Sequence, residues 1–117
     1  MALVQEQNET FKTKDWNAYL INNRSSAIEI VLIVSKGNLK TKTTSTLRHK
    51  LDVLPAKSYA KVEWLQDDVL SLDNSFQVTF FEGHNMFEKT FLFPANSEKT
   101  ETLITIPLIE KRGILLK

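Results

Sequence analysis

The sequence of 117 residues lacks cysteine altogether. Without thiols, disulfide bonds, thiolate metal sites and cysteine nucleophiles are excluded, and the composition suits a reducing compartment. The sequence also lacks any apolar run near the roughly 20 residues that a membrane-spanning helix needs. We therefore expect a cytoplasmic protein with no membrane partner.

Signatures of catalysis and metal binding are missing as well. The chain has three glycines and no phosphate-binding loop, and neither G-x-S-x-G nor H-E-x-x-H occurs. The adjacent Asp67 and Asp68 diverge by about 100° on a helical turn, so they cannot readily share a proton. His49 and His84 lack metal-ligand spacing, and His49 should have a hydrogen-bond partner at the core or its rim. We predict a protein that is not an enzyme, with no catalytic residue, metal or cofactor.

The sequence does contain the alternating pattern of β-strands almost throughout. The strand-like segments are residues 28–34, 39–53, 58–64, 76–81, 86–93 and 102–109. Short strands separated by turns about every 8 to 12 residues are typical of a β-sandwich. The spacing of Leu65, Val69 and Leu72 departs from this pattern and predicts one short helical turn near residues 65–72. We predict an all-β, immunoglobulin-like antiparallel β-sandwich of about seven strands.

A chain of this length is expected to form one domain with its own core. We predict that residues 11–112 form the sandwich. The preceding residues, 1–10, are interpreted as a flexible N-terminus or a late-joining edge strand, and residues 113–117 as a C-terminal tail.

Two features are expected to interrupt the strand pattern. Gly37 and Asn38 tolerate positive φ angles and predict a turn at the end of the strand of residues 28–34. The alternation over residues 39–53 is too long for one strand, so we expect a bulge or a break near residues 43–46.

The hairpin of residues 75–93 contains six of the seven phenylalanines. Five share inward parities and are predicted to form core: Phe76, Phe80, Phe87, Phe91 and Phe93. The alternative is a platform on which nucleic-acid bases stack, but such platforms interleave aromatic with basic residues, and acidic residues occur here. Phe81 faces the other side and His84 lies in the turn, so both are candidate contact residues.

The segment of residues 58–64 is predicted to be a half-buried strand. Trp64 shares its parity with Ala60 and Val62, which predicts that all three face the core. Tyr59 has the opposite parity and is a candidate for contact with a protein partner.

Fifteen basic and fourteen acidic residues give a net charge of +1, so any electrostatic recognition must be local. Residues 30–51 contain no acid, and four of their basic residues share one strand face: Lys40, Lys42, Arg48 and Lys50. This row could contact the phosphates of a nucleic acid or another anion. Lysines on an outer face also keep an edge strand from pairing with other chains.

Two stretches, residues 17–23 and 54–87, resemble the β-domain that precedes the Smr (small MutS-related) domain in some bacterial proteins. The shared pattern is a Tyr-Leu-x-Asn strand, a proline turn, an acidic helical turn and a Val-x-Phe strand. The matching positions here are Tyr19, Leu20, Asn22, Pro55, Asp67, Asp68, Val78 and Phe80. The resemblance covers about half the chain and implies an immunoglobulin-like accessory domain of a nucleic-acid-processing protein. It carries over no catalytic residue, and the chain ends where the nucleic-acid-processing module would begin.

These observations favour a non-enzymatic interaction domain. We expect it to bind a protein partner through a sheet edge or through an outer face that bears Tyr59 and Phe81, with His84 as a further candidate contact residue. The alternative is weak nucleic-acid binding by an accessory domain that uses the basic strand face.

Overall fold

The computed structural model describes residues 1–39 and 46–117, and the backbone of Lys42 and Thr43. The described chain forms ten strands and two short helical segments. The strands are β1 Ala2–Asn8, β2 Thr13–Asn22, β3 Ile28–Leu39, β4 Lys42–Thr43, β5 Leu47–Leu54, β6 Ser58–Leu65, β7 Asp73–Glu82, β8 Asn85–Phe93, β9 Ile104–Thr105 and β10 Arg112–Leu115. The helical segments are α1 Asp67–Leu70 and α2 Ser97–Thr100.

The strands form two antiparallel sheets. Sheet A has the order β6-β2-β1-β10-β9, and sheet B has the order β4-β3-β7-β8, with β5 also paired to β3. Strand β4 pairs with the end of β3 and β5 with the remainder, so the two occupy the same edge. The pairings of β2 with β6 and of β3 with β7 are those of strands B with E and C with F in the immunoglobulin fold. The predicted all-β sandwich is confirmed.

The core lies between the sheets, and aromatic rings from the β7–β8 hairpin fill much of it. Phe76, Phe91 and Phe93 are buried, and the rings of Phe76 and Phe93 meet edge to face at 5.9 Å. The prediction that five rings are buried was wrong for two of them, because Phe80 is half-buried and Phe87 is exposed. Their row lies nearer the hairpin turn, where an arginine rather than an apolar side chain covers the rings.

Both ends of the chain belong to the sandwich, contrary to the prediction of a loose or edge-forming N-terminus and a C-terminal tail. Strand β1 is the middle strand of sheet A and pairs with β2 on one side and β10 on the other. Ala2, Leu3 and Val4 are fully buried as a result. The short apolar runs at the two ends satisfy each other's backbone hydrogen bonds, which neither run could do alone.

A bulge in β6 reverses the predicted facing of Trp64. Ala18 pairs with Glu63 but Tyr19 pairs with Lys61, so Val62 is an extra residue in the ladder. Trp64 is consequently 56% exposed. An extra residue shifts the period of two and sends every later side chain to the opposite face.

The other local predictions had mixed outcomes. The turn at Gly37 and Asn38 was wrong, since β3 runs through both residues to Leu39. The interruption expected near residues 43–46 falls partly outside the described residues, and β4 and β5 are separate strands on either side of it. The helical turn near residues 65–72 is confirmed by α1, whereas the pattern did not predict α2.

We expect Gly113→Ala to destabilise the protein by about 1–3 kcal/mol, as overpacking of a closely packed site does. A methyl group on Gly113 would lie 2.1 Å from the backbone oxygen of Leu3, so β10 would have to move away from β1. Urea unfolding followed by circular dichroism measures the loss.

Gly83→Asn is the matched control. Gly83 lies in the β7–β8 turn with a φ of +61° and open space around it, and asparagine tolerates this conformation. Equal stability of the Gly113→Ala variant and the wild type would show that β10 does not pack against β1 as described.

Candidate interaction surfaces

The outer face of sheet B is assembled by β5, β3, β7 and β8, whose register places residues side by side across the sheet. Lys50 pairs with Leu32, Leu32 with Thr79, and Thr79 with Glu88. Alternate residues of a strand point to the same side. The next row on this face therefore consists of Arg48, Val34, Gln77 and Thr90. We call the surface formed by the solvent-facing residues of these four strands the outer B face.

Apolar side chains are concentrated on the outer B face. Between 40% and 61% of each of the following residues is exposed: Ile30, Leu32, Val53, Met86 and Leu92. Phe81, in the row that also holds Val53 and Met86, is half-buried. Single apolar residues at a surface are ordinary, but a group on one face is typical of an interaction site.

The backbone turns Ile30 out of the core. Its φ angle is +48°, a conformation that β-branched residues rarely adopt. The pairing of β3 with β7 shifts register between Glu29 and Leu32, so Ile28 and Val31 are both buried and the residues between them face solvent. A strained residue at an exposed apolar position suggests a constraint from function rather than from core packing.

Opposite charges lie at the two edges of the outer B face. Arg48 and Lys50 are exposed on β5, and Glu88 is exposed on β8. The side chain of Glu88 accepts a hydrogen bond from the Gln77 amide at 2.7 Å, and Lys50 Nζ lies 4.0 Å from a carboxylate oxygen of Asp52. Both contacts are solvent-exposed, so the charges remain available to a partner.

The structure brings together two of the four residues of the predicted basic row, Arg48 and Lys50. The backbone of Lys42 belongs to β4, but its side chain is outside the description, and Lys40 lies outside the described residues. Each described member shares its face with acids, so the face is mixed in charge rather than uniformly basic.

The three predicted protein-contact residues do not form one surface. Phe81 belongs to the outer B face, whereas Tyr59 is exposed on β6, at the edge of sheet A, and packs edge to face on Tyr19 at 5.8 Å. His84 is exposed in the hairpin turn after Gly83. The expectation of a single outer face bearing both Tyr59 and Phe81 was therefore wrong, because the two strands belong to different sheets.

Sequence reasoning missed a polar network on the outer face of sheet A. Glu6 Oε1 accepts hydrogen bonds from Asn17 Nδ2 at 2.9 Å and from the Tyr19 hydroxyl at 2.7 Å. Lys111 Nζ donates to the other carboxylate oxygen at 2.6 Å. The network holds the segment before β10 over the sheet, beside a small apolar cluster that includes Ile106. No local signal could reveal it, because Glu6 and Lys111 come from opposite ends of the chain.

The network shifts the pKa values of two of its members. Burial by itself raises the pKa of Glu6, but hydrogen bonds from Lys111, Tyr19 and Asn17 outweigh it and hold that pKa below its ordinary value. Burial, together with the hydrogen bond to Glu6 and its negative charge, raises the pKa of Tyr19. The network thus stabilises the charged carboxylate of Glu6 and the neutral phenol of Tyr19.

Arg24 forms a second cluster that the sequence did not indicate. The rings of Phe80 and Phe87 stack at 5.4 Å, and Arg24 Cζ lies 5.3 and 5.0 Å from their centroids. An ion pair of 2.8 Å to Glu82 fixes the guanidinium. The arginine thus caps the open end of the core by cation–π contact, and it covers the two rings that a stacking platform would have to present.

A serine, a histidine and a glutamate meet between the two sheets. Glu63 Oε1 accepts a hydrogen bond from Ser35 Oγ at 2.6 Å and lies 2.8 Å from His49 Nε2. The partner predicted for His49 is therefore present. Both side chains therefore contact the same carboxylate oxygen. In a catalytic arrangement the serine would instead hydrogen-bond the histidine that activates it. The trio links sheet B to β6 of sheet A.

Open clefts also occur in the part of the chain that the structure describes. One, of about 800 Å³, lies between the sheets beside β8, with Leu20, Phe91 and Ile104 on its walls and Lys89 at its rim. Another, of about 680 Å³, has the exposed ring of Phe11 in its lining. The Lys89 side chain projects from an edge strand on the core-facing parity, 5.1 Å from the Phe91 ring.

Comparisons with family models, with curated proteins and with solved structures find nothing that matches this chain. The resemblance to the β-domain that precedes Smr domains therefore stays a prediction. Within the described residues, no three metal-ligating side chains come together. Neither helical segment in that part of the chain is long and apolar enough to cross a membrane.

The Glu6 network predicts a pH-dependent stability. Because the pKa of Glu6 is lower in the folded protein than the ordinary value of 4.5, its charge stabilises the fold above that pH. This contribution disappears as the pH falls through the lowered folded pKa. We expect Glu6→Gln to lower Tm at neutral pH, and the difference from the wild type to narrow at acidic pH, as measured by thermal unfolding.

Glu9→Gln is the matched control, because it removes an exposed carboxylate that lies just after the end of β1. It should leave Tm unchanged at neutral pH. A Glu6→Gln effect of constant size from neutral to acidic pH would show that the charge of Glu6 does not stabilise the fold.

Proposed function

We propose that this protein is a non-enzymatic β-sandwich domain that binds a protein partner through the outer B face. The observation that carries the proposal is the group of exposed apolar residues on one sheet face that also carries charged residues. Interfaces combine an apolar centre with a polar rim, and here Arg48 and Lys50 lie on one side and Glu88 on the other. The strained backbone at Ile30, which exposes an apolar side chain, supports the same surface.

The sheet edges are weaker candidates for contact. Strand β8 forms one edge of sheet B, and Lys89 on that strand points toward the core side. Inward-pointing charges on an edge strand oppose the addition of another strand. We therefore favour contact through the outer B face over strand addition at β8.

The absence of cysteine supports a cytoplasmic location as part of this proposal. The resemblance to the domain that precedes Smr domains supports an accessory role beside a nucleic-acid-processing module of a bacterial protein.

A photo-crosslinking amino acid in place of Thr90, on the outer B face, tests the proposed surface. We expect cross-linked adducts in cells that express the protein, because the probe would lie within the interface. Leu32→Lys in the same chain should remove the adducts, since it places a charge in the apolar centre. Gel electrophoresis followed by mass spectrometry measures them.

The same probe in place of Thr102, an exposed threonine between α2 and β9, is the matched control. Circular dichroism confirms that each variant is folded. Adducts of equal yield from both positions, or none from Thr90, would refute contact through the outer B face.

Nucleic-acid binding is the second candidate, because Arg48 and Lys50 are both exposed on one face. The acids of the same face, Glu29 and Glu88, would repel a phosphate backbone. We therefore expect no binding of single- or double-stranded oligonucleotides, measured by fluorescence anisotropy at low salt.

Binding that weakens as salt rises would contradict this expectation and favour the second candidate. In that case, replacing all four predicted basic residues, Lys40, Lys42, Arg48 and Lys50, by glutamine should abolish the binding and leave the protein folded.

A further inference from the structure

We infer that the partner of the outer B face is a second copy of this chain, packed face to face about a two-fold axis parallel to the strands. The inference rests on the proposed function, because it assumes that this face is a contact surface. It adds the identity of the partner and the geometry of the contact.

The charge pattern of one row carries the inference. Lys50 and Glu88 lie at opposite ends of the row that crosses the sheet through Leu32 and Thr79. With strands about 4.8 Å apart, their backbones are separated by roughly 14 Å, beyond the range of strong screened attraction within one chain. The row is thus positive at one end, neutral in the middle and negative at the other end.

With a two-fold axis parallel to the strands, the same pair of opposite charges would form twice. This axis would bring β5 of each copy opposite β8 of the other and keep each residue at its own height along the strand. Lys50 of one copy would then face Glu88 of the second copy, and Glu88 of the first would face Lys50 of the second. The contact is isologous, so the same attraction occurs on both sides of the axis.

The alternative axis, perpendicular to the strands and in the plane of the face, would place each strand opposite its own copy. The edge of β5 would then face itself, and β8 would face itself, so Lys50 of one copy would lie a sheet's width from Glu88 of the other. Of the two axes, the one parallel to the strands therefore pairs these opposite charges.

Two apolar residues would lie near the centre of this interface, with the exposed Glu29 in the same row as one of them, Phe81. Leu32 lies on β3, next to the axis between β3 and β7, and Phe81 lies on β7. Four strands about 4.8 Å apart and about seven residues of 3.3 Å each give a face of roughly 450 Å² per copy. This area is below that of standard-size stable complexes, so we expect a weak dimer that forms at high protein concentration.

Two charge reversals and their mixture test the geometry by sedimentation velocity at low salt. In Lys50→Glu, two acids would face each other at both contacts, and in Glu88→Lys, two cations would do so. We expect each variant alone to dimerise about tenfold or more weakly than the wild type. An equimolar mixture of the two should dimerise at least as well as the wild type, because each contact in the mixed dimer joins opposite charges.

Lys99→Glu, on α2, is the matched control, because Lys99 is an exposed lysine outside sheet B. Its self-association should equal that of the wild type. Single reversals that weaken association without recovery in the mixture would overturn the two-fold axis parallel to the strands. A wild type that stays monomeric at the highest soluble concentration would overturn self-association altogether.

The failure of this inference can be separated from the failure of the proposed function. A monomeric wild type whose Thr90 probe still forms adducts with another protein would retain the outer B face as a contact surface with a different partner. A monomeric wild type with no adducts would overturn both. Adducts of twice the mass of the chain would support the second copy.

Discussion

Two irregularities in strand pairing, at Ile30 in β3 and at Val62 in β6, determine which side chains face the core. A strand has a period of two, so one displaced residue reverses the facing of all that follow. The shift at Ile30 sends Ile30 and Leu32 to the surface while Val31 and Ile33 fill the core. The apolar centre of the outer B face therefore depends on a backbone conformation.

The bulge in β6 has a parallel effect in sheet A. It places Glu63 between the sheets, where it meets Ser35 and His49, and turns Trp64 to solvent. A largely buried carboxylate with two hydrogen-bonding partners is tolerated because its polar atoms are satisfied. The two sheets are thus joined by apolar packing in the centre and by a polar contact near one edge.

Two clusters of polar and charged side chains stabilise the sandwich at different places. Around Glu6 the chain closes on itself, because Lys111 reaches back to the first strand. At the open end of the core, Arg24 covers the ring pair of Phe80 and Phe87. Both clusters are internally paired and contribute to the fold, whereas Lys50 and Glu88 have room for a partner. This contrast separates structural charges from those that could recognise another surface.

The sequence by itself determined the fold class, most strand positions, the helical turn at α1 and the outward parity of Phe81, because these depend on local periodicity. Charge balance and the lack of cysteine also narrowed the kinds of chemistry available. Only the tertiary structure decided that the chain ends pair in the middle of sheet A, that Trp64 faces solvent and that Tyr59 and Phe81 lie on different sheets. These features depend on register between distant strands, and register arises from backbone pairing that no local pattern contains.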